Sequence, residues 1–200
     1  MKNMADLKDF SDFIKIGRLG WEQGLYSAHG GNMSIRVGDR ILITRRGSML
    51  GALTDEDIIE TSLDENDTFI TLASTEIVVH RAIYKNTEAL AIFHAHPPLA
   101  VAKSLVSDEI ILDDSEGNYI LKKVPVVATK LTVGAKEVGE ILPDYLKDFK
   151  LVMLKGHGSF AIGMLLEEAF SYTSTLEHSL KISLSKEIFG KVDTKKDSLW

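Results

Sequence analysis

The chain contains no cysteine. That absence excludes disulfides, thiolate catalysis and sulfur ligands together, so any bound metal must rest on nitrogen and oxygen donors. No lysine- and arginine-rich block is present, and the net charge is −6 at pH 7, which argues against a nucleic-acid partner. No apolar run approaches the roughly 18 residues needed to cross a bilayer, so no membrane partner is expected. The opening residues, Met1 to Lys8, are too charged for a secretory leader, and a cytoplasmic location is the expectation. The 44% of apolar residues is ordinary for a globular protein, and 200 residues fit one domain, with a charged tail from about residue 190 loosely held.

Apolar spacing predicts a helix from about Leu7 to Gln23, closed by Gly24. Met33–Val37 and Ile41–Thr44, joined at Gly38-Asp39, read as a hairpin. Further strands are expected at Ile58–Ser62, Thr68–Leu72, from Ala89, at Val124–Ala128, Leu151–Leu154 and Ser159–Gly163. Helices are expected from Ser74 to Tyr84, Pro97 to Val106, Gly134 to Leu142 and Leu166 to Ile188. Thr54 followed by Asp55, Glu56 and Asp57 has the form of a cap with an acidic first turn. The polar stretch Leu112–Lys122 reads as an exposed loop or hairpin. Strands interleaved with helices give an α/β fold, a single-domain sandwich.

What the sequence does contain is a pair of histidines one residue apart at the end of an apolar run, Ala91-Ile92-Phe93-His94-Ala95-His96, stopped by Pro97-Pro98. Side chains at i and i+2 of a strand share a face, and the prolines end the ladder there. A third histidine, His157, sits between two glycines after the short run Leu151–Leu154. Three histidines at strand ends, completed by one carboxylate, would hold Zn2+ or another divalent transition metal. Glu76 is the carboxylate: it sits in the first turn of a helix, where the dipole favours a negative charge, and it can act as a fourth ligand or move a proton. His80 follows one turn later and is read as orienting its neighbour; His178 reads as solvated or interfacial, and His29, in a glycine-rich loop, stays open. Three segments can cradle an anion: Gly30-Gly31-Asn32, Gly47-Ser48 and Ser74-Thr75. An arginine of the Arg45-Arg46 pair beside Gly47 could join them by pairing with a phosphate.

In order, Gly31-Asn32-Met33-Ser34-Ile35-Arg36, Leu42-Ile43-Thr44 with Gly47, Ser74-Thr75-Glu76 with His80 and Tyr84, His94-Ala95-His96 and Gly156-His157-Gly158 resemble the class II aldolase/adducin family. The resemblance runs over nearly the whole chain. It implies an α/β/α sandwich around a central, mostly antiparallel sheet, zinc on His94, His96 and His157, and Glu76 as general acid/base. It implies a phosphate cradle of Gly31, Asn32, Gly47, Ser74 and Thr75, to which the Arg46 reading adds a charge, and a homotetramer with sites near subunit contacts. The branch it suggests is the one that cleaves L-fuculose 1-phosphate, so a zinc-dependent aldolase is expected, splitting a small phosphorylated ketose into dihydroxyacetone phosphate and an aldehyde. Dehydration of methylthioribulose 1-phosphate and epimerisation of a sugar phosphate use the same shell elsewhere in the family. The adducin head has the fold as a non-enzymatic interaction module. The chain departs from the fuculose branch at Arg45-Arg46, at Asp113-Asp114, and in having no tyrosine after Tyr172.

Overall fold

The computed structural model describes residues 10–196, with side chains through residue 190. Its strands are β1 (Asn32–Val37), β2 (Arg40–Thr44), β3 (Ile58–Ser62), β4 (Ala91–Ala95), β5 (Glu109–Ile111), β6 (Lys123–Val127), β7 (Leu151–Leu154) and β8 (Gly158–Gly163). They form one sheet in the order β3-β2-β1-β4-β8-β7-β6-β5. Every pairing is antiparallel except β6 with β7. That parallel pair is joined through a helix, α5 (Lys136–Leu146), because parallel neighbours cannot be linked by a tight turn. The remaining helices are α1 (Ser11–Glu22), α2 (Ile77–Asn86), α3 (Pro98–Val106), α4 (Ser115–Ile120) and α6 (Leu166–Lys196).

The two-residue period of the strands builds two cores. In β4, Ala91, Phe93 and Ala95 join Phe13 and Ile16 of α1, Ala100 of α3 and Leu176 of α6 on one face. Ile92 turns the other way, to Val79 and Ile83 of α2 and Val138 and Leu142 of α5. The same alternation sends Ala161 to the first core and Phe160 to the second. Burying a side chain such as Phe93 or Phe160 stabilises the fold by roughly 1.5–3 kcal/mol. The result is the expected α/β/α sandwich with a mostly antiparallel sheet.

Register then places the chemistry. Asn32 of β1 sits opposite His94 of β4, and Ala95 sits opposite Ser159 of β8. His157 lies in the turn between β7 and β8, so all three strand ends open at the same edge.

Several elements differ from expectation. Thr68–Thr71 is a 3-10 turn and not a strand, because the Asp67 carboxylate accepts the Phe69 N–H at 3.1 Å and caps it. The polar stretch after Leu112 contains α4: Asp114 accepts the Gly117 N–H at 2.9 Å, the N-cap arrangement that starts a helix. β5 went unexpected because it is three residues long, with only Ile110 buried. α2 starts at Ile77, which puts Glu76 at the N-cap position, and Gly134 lies before α5 and not inside it. α6 runs on to Lys196; the last four residues of the expected tail, and residues 7–9 of the expected first helix, lie outside the described residues.

Candidate active site

His94 is enclosed by β1 and β8, and its Nδ1 lies 2.8 Å from the Ser159 carbonyl. A carbonyl only accepts, so Nδ1 carries the proton and Nε2 offers its lone pair. That Nε2 lies 3.0 Å from Nε2 of His96. The ligand nitrogens of His94, His96 and His157 all fall within 4.8 Å of one another. His157 Nδ1 is buried without a partner. Burial, reinforced by the neighbouring imidazoles, holds His94 far below the usual histidine range. Burial and His157 lower His96 to about 4, and burial lowers His157. Three neutral imidazoles aimed at one point, one of them oriented by a backbone carbonyl, are a donor set that fits a divalent transition metal.

Glu76 is 3% exposed. Its N–H donates to the Ser74 hydroxyl at 3.3 Å, and its Oε1 accepts the Gly134 N–H at 2.9 Å. Its Oε2 is buried with no partner. Burial raises its proton affinity above the ordinary glutamate value, with the Gly134 bond opposing. A carboxyl raised in this way moves toward the range where it both gives and takes a proton. Glu76 stands beside the three-histidine cluster and not within it.

One cavity of about 150 Å³ is lined by Glu76 and the three histidines, and also by Gly31, Asn32, Arg46, Gly47, Ser74 and Thr75. Of the residues singled out in the sequence for this site, all but Gly30 border the same space. Gly31 has φ +78, and a Cβ there would come within 2.6 Å of the His94 carbonyl oxygen. Only glycine lets the entry to β1 pass this close to the metal strand. Arg45 and Arg46 both reach the cavity wall but differ in their partners. Arg45 donates to Asp57 at 2.7 and 3.1 Å, whereas among the described residues no such carboxylate holds Arg46. Two larger grooves, of about 700 and 770 Å³, border α2 and α5, but neither contains a histidine.

The sequence did not point to Gly134, Val133 or the Ser159 carbonyl, and it left His29 open. Val133 lines the cavity, and so does His29, whose Nδ1 meets the Gly47 carbonyl at 3.1 Å. Backbone donors and acceptors leave no mark on residue type, so only the glycine at position 134 was a signal. His80 stands apart from the cluster: its Nδ1 lies 2.6 Å from the Ser34 hydroxyl, which in turn lies 2.7 Å from the Tyr84 hydroxyl. Its ring is bonded to Ser34 on the sheet and not to the Glu76 carboxylate one turn before it, which it was expected to orient. His178 is exposed, as expected.

The class II aldolase and adducin N-terminal domain family matches residues 11–184. An L-fuculose phosphate aldolase of Methanocaldococcus jannaschii is 33% identical over 177 residues, covering 88% of this chain and 96% of that protein. A 3-oxo-tetronate 4-phosphate decarboxylase of Haemophilus influenzae is 29% identical over 186 residues, covering 90% and 88%. The crystal structure of L-fuculose-1-phosphate aldolase from Thermus thermophilus superposes with a TM-score of 0.87 at 36% identity, covering 91% of this chain and 95% of that one.

Proposed function

Because the chain belongs to the class II aldolase and adducin family, we propose that it is a metal-dependent aldolase that cleaves a small phosphorylated ketose, of the L-fuculose 1-phosphate kind, into dihydroxyacetone phosphate and an aldehyde. The observation that carries the reading is the shared cavity: three converging neutral imidazoles, a buried carboxyl with raised proton affinity and an anion cradle border one space. A divalent ion, zinc in this proposal, supplies Lewis acidity for the oxyanion that develops as the carbon–carbon bond breaks.

The chain's own residues do the rest. His94, His96 and His157 hold the ion, and Ser159 fixes the tautomer of the first. Gly31, Asn32, Gly47, Ser74 and Thr75 receive the phosphate through N–H and hydroxyl donors, and Arg46 adds a charge-assisted bond. Glu76 exchanges the proton through Oε2, the oxygen left without a partner.

The same reading carries one domain over the chain, the expected homotetramer and a cytoplasmic setting. No helix of the described residues is long and apolar enough to cross a membrane. The test is to incubate the zinc-loaded protein with L-fuculose 1-phosphate and related ketose 1-phosphates and to measure dihydroxyacetone phosphate release. Zinc bound one-to-one without cleavage of any of them would end the aldolase reading. Loss of water from methylthioribulose 1-phosphate, or of carbon dioxide from a 3-oxo-tetronate 4-phosphate, would then assign the chemistry. A chain that binds no metal and turns over nothing would be an interaction module.

A further inference from the structure

The connection between β6 and α5, residues 128–135, reaches the site with two consecutive residues. Val133 lines the cavity, and the Gly134 N–H donates to Glu76 Oε1 at 2.9 Å. Gly134 has φ +57, and a Cβ there would lie 3.0 Å from the carbonyl oxygen of Thr75, the residue before Glu76. A left-handed residue without a side chain is what allows this backbone to lie against the peptide that carries the carboxyl. The connection is fastened at its other end. The Lys130 N–H donates to the Glu137 carboxylate of α5 at 3.2 Å, and the Thr129 hydroxyl donates to the Leu131 carbonyl at 2.8 Å.

We propose that this connection is the positioning element of the site, with Gly134 as the positioning residue whose N–H sets the orientation of the Glu76 carboxyl. The inference rests on the reading of Glu76 as the acid/base. With Oε1 accepting an N–H, the carboxyl cannot rotate freely. A proton placed on Oε1 would meet that N–H head on and break the bond. Proton exchange is therefore confined to Oε2, while Oε1 stays an acceptor in both protonation states. Sequence spacing does not reveal this contact, because it comes from a main-chain N–H.

Amide hydrogen exchange on the zinc-loaded protein tests the contact without reference to turnover. The Gly134 amide is expected to be protected in the wild type and in Glu76→Gln, which keeps an acceptor oxygen. In Glu76→Ala it should exchange roughly tenfold faster or more, the scale of one lost hydrogen bond. Kinetics test the role. Gly134→Ala retains the N–H but strains the backbone, so kcat should fall by about tenfold while KM and zinc content hold. Gly134→Asn, which accepts a left-handed conformation more readily, should recover part of the loss. Glu137→Ala releases the far fastening, outside the cavity, and should raise Gly134 exchange and lower kcat together. Equal Gly134 exchange in wild type and Glu76→Ala overturns the proposal. So does an unchanged kcat in Gly134→Ala, or a Glu137→Ala protein with faster exchange and full kcat. If Gly134→Ala does not fold, the exchange comparison and Glu137→Ala decide. An active Glu76→Gln would end the acid/base reading instead, and it would do so with the exchange pattern intact.

Discussion

The Nε2 atoms of His94 and His96 face each other at 3.0 Å, and Ser159 holds the proton of His94 on the opposite nitrogen. Two nitrogen lone pairs at that distance repel unless a proton or a metal ion lies between them. A proton on His96 Nε2 satisfies the pair as an ordinary hydrogen bond, and in the proposed reading a divalent ion held with His157 takes its place. His94→Ala removes the ligand whose tautomer is fixed, and zinc affinity should fall by roughly a hundredfold or more, beyond the scale of losing an outer-shell partner. Metal analysis after dialysis against a mild chelator checks this. A variant that still holds zinc one-to-one would remove the triad from the site.

Glu76→Gln keeps the shape of the side chain and an acceptor for the Gly134 N–H, but it takes away the exchangeable proton. The folded, metal-bound protein should lose roughly a hundredfold or more in kcat, the usual scale for a general acid/base. Thermal melting and metal content should match the wild type. Turnover near the wild-type rate would return Glu76 to a structural role.

How far the sequence carries can be seen at single residues. His94 and His96 were legible because strand periodicity and Pro97-Pro98 together fix where two side chains emerge. The α/β class followed from strands interleaved with helices, and the α/β/α layering around a mostly antiparallel sheet came from the family resemblance. The 3-10 turn at Thr68–Thr71 was not legible, since one Asp67 side chain outcompetes the strand propensity of Phe69 and Ile70. α4 was masked because Gly117 and Asn118 are poor helix formers, and the Asp114 cap overrides them. The Glu76–Gly134 contact joins residues far apart in the chain through a backbone N–H, for which residue type carries no code.

The arginine pair gives a prediction with a built-in control. Both arginines border the cavity, but Arg45 is occupied by Asp57 at 2.7 Å. If the cradle takes a phosphate, inorganic phosphate should inhibit competitively. Arg46→Ala should then weaken inhibition by about tenfold, equivalent to about 1.4 kcal/mol. Arg45→Ala should leave it within about twofold, because the Arg45 guanidinium is already engaged by the Asp57 carboxylate and a partly exposed ion pair contributes little. Equal effects of the two substitutions would contradict the assignment of Arg46, and absence of competition by phosphate would remove the phosphorylated substrate.

The buried column Tyr84–Ser34–His80 predicts a pH dependence of stability. His80 is fully enclosed, and burial lowers it from 6.5 to about 3, so it is neutral in the folded protein at pH 7. In the unfolded chain it titrates near its ordinary value. Its folded value is depressed, so the stability it supports is fully present above about pH 6.5. That stability is lost as the pH falls toward the folded value, because the unfolded state binds the proton first. The slope from one such group is about 1.4 kcal/mol per pH unit. His80→Asn cannot titrate and retains a polar atom near the Ser34 hydroxyl. At pH 7 it should be less stable than the wild type by roughly 1–3 kcal/mol, the cost of disturbing a buried bonded pair. On acidification the gap should narrow and then reverse, as the wild type loses stability that the variant never had. Ser34→Ala is the companion variant: it strands His80 Nδ1 and the Tyr84 hydroxyl without removing the titrating ring. It should lower stability at neutral pH and keep the acid slope. Denaturant melts of the three proteins between pH 7 and pH 4.5 decide the matter, and parallel curves for wild type and His80→Asn would show that His80 does not carry the acid sensitivity.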